Sequence, residues 1–183
     1  MSGSSLAINC GGPQLIDSST QVAFEGDNKT LDAASFYMNS EESWGVSTTG
    51  VFLNSSDSTN ENGNPYMIEQ GSVLGTTQDP SIYKTARLSP TSLRYYGLGL
   101  ENGLYRVELH FEEIQIPATI SWRSLGLRIF DAYVQVLHCN DMTKGTNLRG
   151  TKDNILFSRK FNIMKHMQGL EIHITGFRNF NIS

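Results

Sequence analysis

Charge is scarce in this chain, and neither sign dominates. Lys and Arg number 14 against 18 Asp and Glu in 183 residues, a formal charge of −4. With so few cations and no basic stripe, nucleic acid is not expected as a partner. Long apolar runs are missing as well, so the chain holds no stretch of the roughly 18 to 20 residues that cross a bilayer. The opening residues, MSGSSLAI, lack the basic start and apolar core of a signal peptide. Cysteine is limited to Cys10 and Cys139, compatible with one disulfide but too few to define a redox compartment.

The patterns of catalysis are absent too. No G-x-S-x-G nucleophile motif occurs. His110, His138, His166 and His173 have no metal-ligand spacing with the cysteines. Glu112 and Glu113 are adjacent, so on a strand they point to opposite faces and cannot converge as a glycosidase pair. Gly97, Gly99 and Gly103 do not open a helix and make no nucleotide loop. No enzyme, metal or cofactor is expected.

What is present is a chain of one-domain length, rich in short strand signals. Residues 6–10, 21–24, 125–135, 157–163 and 170–174 read as strands. The strongest signal is local: Tyr105, Val107, Leu109 and Phe111 alternate with Arg106, Glu108, His110 and Glu112. Before them, Asn102-Gly103 suits a type I′ turn and predicts a hairpin pairing Leu100 with Tyr105, Leu98 with Val107 and Tyr96 with Leu109. Asp79-Pro80 resembles a helix start, giving one or two turns to Leu88. Residues 41–64 are polar and turn-rich, read as a long surface loop carrying Trp44 and Phe52. Short strands with at most one or two short helices predict an all-β antiparallel sandwich.

Sequons at Asn28, Asn54 and Asn181, with the Ser/Thr/Asn/Gly-rich composition of residues 40–64, point to an extracellular setting; the last lies at the chain end.

Six motifs then occur in order: Ile8-Asn-Cys-Gly-Gly12, Tyr83-Lys-Thr-Ala-Arg-Leu-Ser-Pro90, Ser92-Leu-Arg-Tyr-Tyr-Gly97, Leu100-Glu-Asn-Gly103, Leu109-His-Phe-Glu-Glu-Ile114 and Ser124-Leu-Gly126 through Phe130-Asp131. Together they resemble the malectin-like domain of plant leucine-rich-repeat receptor-like kinases, over residues 6 to 135. The resemblance implies a carbohydrate-binding-type β-sandwich on the outer face of the plasma membrane. These 183 residues show neither the repeats nor the membrane span nor the kinase domain of such receptors. Residues 1–5 read as a leader remnant or linker, 136–158 as an atypical insertion of disordered character, and 159–183 as an incomplete C-terminal part. The resemblance also implies that the partner of Cys10 lies in that C-terminal part, with Cys139 a doubtful substitute.

Animal malectins stack sugar on aromatic side chains, and this chain departs from them there. Leu88 stands at one aromatic position, and Gln115-Ile116 at two more. An aliphatic side chain cannot supply the aromatic face. The candidate ligand cleft therefore rests on Tyr37, Trp44, Tyr83, Tyr95 and Glu113, with Tyr37 and Trp44 expected to be exposed for stacking. Two functions follow: recognition of an oligosaccharide or cell-wall polysaccharide, or of a protein, peptide or co-receptor.

Overall fold

A computed structural model describes residues 5–51, 66–69, 81–111, 114, 129–134, 146–149, 157–165, 170–175 and 181–182. The strands are β1 (Ile8–Cys10), β2 (Leu15–Ile16), β3 (Ala23–Asp27), β4 (Phe36–Met38), β5 (Trp44–Thr49), β6 (Met67–Glu69) and β7 (Thr85–Arg87). They continue with β8 (Ser92–Gly97), β9 (Gly103–Phe111), β10 (Ile129–Val134), β11 (Thr146–Arg149), β12 (Phe157–Lys165), β13 (Leu170–Thr175) and β14 (Asn181–Ile182). One six-stranded sheet runs β12-β9-β14-β1-β3-β2, a second runs β11-β10-β13-β8-β5-β4, and β6 pairs with β7 apart from both. This is the expected sandwich. Among the described residues the pairings are antiparallel except β1 with β3, which run parallel.

The two large sheets bury one shared core. Ile8, Val107 and Leu109 come from the first sheet, and Val46, Leu93 and Ile172 from the second. Each such side chain taken from water contributes on the order of 1.5–3 kcal/mol. The alternation read in β9 holds: Val107, Leu109 and Phe111 are buried, with Glu108 and His110 between them less so.

The hairpin does not form. β8 pairs with β5 and β13, while β9 pairs with β12 and β14, so the two strands lie in opposite sheets. Residues 98–102 cross from one sheet to the other, and the positive φ in this connection belongs to Gly99, at 64°. The reason is geometric. The expected register needs Tyr96 on the buried face, but Leu93 and Tyr95 are the β8 residues that enter the core while Tyr96 points outward, so β8 lies across the core from β9 instead of beside it.

Two further expectations change. The helix expected to end at Leu88 reduces to a 3-10 turn, Ser81–Tyr83, followed at once by β7; Asp79-Pro80 lies outside the described residues. Trp44 starts a strand with two hydrogen-bonded neighbours instead of riding a surface loop. Phe52 lies outside the described residues. Among the C-terminal elements, β11 falls within the stretch read as an insertion and pairs with β10. β12 pairs along the whole of β9, and β13 sits between β10 and β8.

Candidate functional site

The motifs that carry the resemblance are mostly architecture. Gly11 has φ 75°, and a Cβ there would lie 2.4 Å from the Ala86 carbonyl carbon, so β1 and β7 meet only because that position is glycine. Beside it Thr85 Oγ1 donates to Asn9 Oδ1 at 3.1 Å, and Asn9 Nδ2 donates to the Pro13 carbonyl at 2.8 Å. Arg87, fully buried, donates from Nε and Nη2 to the two carboxylate oxygens of Asp27, each at 2.6 Å. Its Nη2 also reaches the Asp27 and Lys29 carbonyls at 2.9 and 2.8 Å. Tyr95 completes the cluster from the opposite sheet, donating its hydroxyl to Asp27 Oδ2 at 2.5 Å.

Burial pulls the Arg87 pKa down, but the hydrogen bonds and charge of Asp27 outweigh it and hold it above the usual value. Burial first, and then the Asp27 charge, pushes the Tyr95 phenol well above its usual range. A cationic Arg87 and a protonated Tyr95 both donate to Asp27. The cluster is a buried polar clamp between the sheets, in which Arg87 Nη1 alone of the guanidinium nitrogens has no hydrogen-bond partner.

The aromatic candidates are placed accordingly. Trp44 is 1% exposed, and its indole N–H donates to Glu25 Oε2 at 2.7 Å, so the expected exposed platform is a core residue. Asn39 Nδ2 donates to the same Glu25 oxygen at 3.1 Å. Tyr37 is half-buried with its ring edge on Trp44 at 5.9 Å, and Trp44 lies 6.4 Å from Tyr95. These three are brought together, but inside. Tyr83 is elsewhere, buried with Phe24 and Ile82, its hydroxyl 2.8 Å from His110 Nδ1. Glu113, Asn54 and Cys139 lie outside the described residues. Asn28 is exposed at the end of β3, and Cys10 is buried.

Leu88, at the position where the resemblance implies an aromatic in animal malectins, is 3% exposed and packs with Ile68, Ala86 and Ile114. Gln115-Ile116 lies outside the described residues.

The outer face of the second sheet, which sequence reasoning missed, is different. Across its ladder Phe36 pairs with Ser47, Ser47 with Arg94, Arg94 with His173 and His173 with Tyr133. These five residues form one row facing away from the core. A neighbouring row holds Met38, Gly45, Tyr96 and Glu171. Phe36 is 61% exposed and its ring rests on Gly45, where an added Cβ would come within 3.2 Å of it. Tyr96 lies 6.3 Å from the Phe36 ring, with its hydroxyl 3.3 Å from Ser47 Oγ. Ser92 Oγ and His173 Nε2 are 2.9 Å apart, and Arg94 stands 3.8 Å from Glu171. Burial, then the Arg94 charge, lowers the His173 pKa and favours the neutral ring.

Comparison with known proteins accords with this architecture. A model of the malectin domain matches residues 4–182. One probable LRR receptor-like serine/threonine-protein kinase of Arabidopsis thaliana is 46% identical over 134 residues, 72% of this chain and 12% of that protein. Another is 35% identical over 176 residues, 93% of this chain and 16% of that protein. The chain thus spans well under a quarter of these curated relatives. Among solved structures, plant receptor-like kinase ANX1 superposes with a TM-score of 0.55 at 13% identity, covering 98% of this chain and 48% of that one. A Bacteroides uniformis beta-glucuronidase superposes at 0.57 with 15% identity, covering 97% and 17%. Both show likeness of fold alone. With the matched model running almost end to end over a sandwich whose shared motifs build its inter-sheet clamp, this chain belongs to the malectin domain family.

Proposed function

We propose that this domain is a non-catalytic saccharide-recognition module of a receptor-kinase ectodomain, working outside the plasma membrane on cell-wall or N-glycan-like saccharides. The observation that carries this reading is the Phe36 ring, held over Gly45 and exposed beside Tyr96. A sugar ring has an apolar face of C–H groups, and a fixed aromatic ring with hydroxyls close by serves that face and its polar edge together. The relatives' names support the receptor setting.

Leu88 favours the second reading, a protein or peptide ligand, because it leaves an aliphatic side chain where animal malectins stack sugar. The test is to titrate the 183-residue chain with neutral oligosaccharides at low and high salt. Saturable, weak, salt-insensitive binding is the expected result. No response to any saccharide, with tight binding to a receptor-derived protein or peptide, overturns the proposal.

A further inference from the structure

We infer that the ligand lies on the outer face of the second sheet, across the strands along the row from Phe36 to Tyr133, and that its class is an extended neutral glycan. This rests on the saccharide reading above and fixes its site and substrate class.

Position in the ladder comes first. Phe36 is on β4 and Tyr133 on β10, with β5, β8 and β13 between them. Four strand spacings make a row about 19 Å long, comparable to a short chain of sugar rings laid across the strands. The row has an aromatic at each end: Phe36 resting on Gly45, and Tyr133 with its ring 5.8 Å from that of His173. Between them stand Ser47, Arg94 and His173, which are hydrogen-bonding groups at successive strands. Such alternation of flat apolar ends and polar middle matches a polyol chain, whose rings show C–H faces and hydroxyl edges by turns.

Charge then narrows the class. The charged side chains described on the face, Arg94 and Glu171, stand 3.8 Å apart and offset each other. An acidic polymer or a basic peptide would have to separate that pair, whereas hydroxyl groups can bridge it. The Arg94 side chain is 43% exposed, so it presents donors at the centre of the row. A protein partner fits less well. Ser47 and Arg94 interrupt the apolar surface of Phe36, Met38 and Tyr96, leaving no continuous apolar centre of the kind protein interfaces bury.

The test maps amide shifts of the isotopically labelled chain while linear neutral glucan and xylan oligomers are added, from monosaccharide to hexasaccharide. The expected result is saturable shifts along β4, β5, β8, β13 and β10, with affinity rising up to about the tetrasaccharide. Phe36→Ala and Tyr133→Ala each weaken binding by about threefold to tenfold, and Arg94→Gln weakens it as well. Phe36→Leu, which keeps an apolar side chain at the site, also loses affinity if the aromatic face is what binds. Ile16→Ser, an exposed position on the other sheet, binds as the parent does.

Saturable saccharide shifts confined to Tyr83 and Leu88 would overturn this site while leaving the saccharide function standing. So would shifts confined to Leu104 and Tyr105, which line a cavity of about 370 Å³ at the β8–β9 connection. A well-dispersed spectrum that responds to no glucan or xylan oligomer would overturn this inference, and an equal lack of response to N-glycan-like oligosaccharides would overturn the saccharide function with it.

Discussion

Tyr95 and Phe36 belong to the same sheet and do opposite work. Tyr95 faces inward on β8, 1% exposed, and its hydroxyl closes the Asp27–Arg87 cluster. Phe36 faces outward on β4, its ring laid on Gly45 with most of its surface in water. Both are aromatic residues in a chain read as a binding module, yet only one is in a position to meet a ligand. The difference teaches that an aromatic becomes a platform through the residue beneath it. A glycine leaves the ring one free face, whereas a core layer leaves it none.

The comparison breaks hardest at the clamp. Asp27→Ala strands a buried guanidinium, and chemical denaturation is expected to show a loss of about 3–5 kcal/mol. Replacing both partners, Asp27→Ala with Arg87→Met, is expected to cost less than Asp27→Ala alone, since no unpaired charge remains. Next in size is Tyr95→Phe, which deletes one inter-sheet hydrogen bond and is expected to cost about 1–3 kcal/mol by the same measurement.

Phe36→Ala sharpens the contrast from the other side. The side chain is mostly exposed on the edge strand β4, so stability is expected to stay within about 0.5 kcal/mol of the parent, while oligosaccharide affinity falls. The smallest effect is one of pH. His173 has a lowered pKa in the fold, so its contribution to stability is present above about pH 6.5, its unperturbed value, and is lost as the pH falls. A modest drop in thermal midpoint on acidification through that range, absent in His173→Gln, is the expected result.

The sandwich itself was legible, because alternation in β9 and the run of short strands are local signals. Which strands pair was not, since the expected register put Tyr96 on the buried face, whereas Leu93 and Tyr95 are the β8 residues that face Leu109 across the core. Trp44 misled for a related reason. Its strand, Trp44–Thr49, carries Gly, Ser or Thr at four of its other five positions, with Val46 the one further apolar residue, so a buried β-strand reads as a polar loop. The ion pair of Asp27 and Arg87 spans 60 residues, with only an arginine between Ala86 and Leu88 to hint at it. The outer row was hidden most completely. Phe36, Ser47, Arg94, His173 and Tyr133 come from five strands out of chain order, and only the register of the folded sheet puts them in line.

The most direct test of this division between inner and outer aromatics is a double measurement on Phe36→Ala and Tyr95→Phe, with stability and saccharide affinity determined for each. The expected result is a crossed one: Phe36→Ala keeps its stability and loses binding, and Tyr95→Phe loses stability while its folded fraction binds as the parent does. Weakened binding in Tyr95→Phe at unchanged stability, with Phe36→Ala binding normally, would contradict the account.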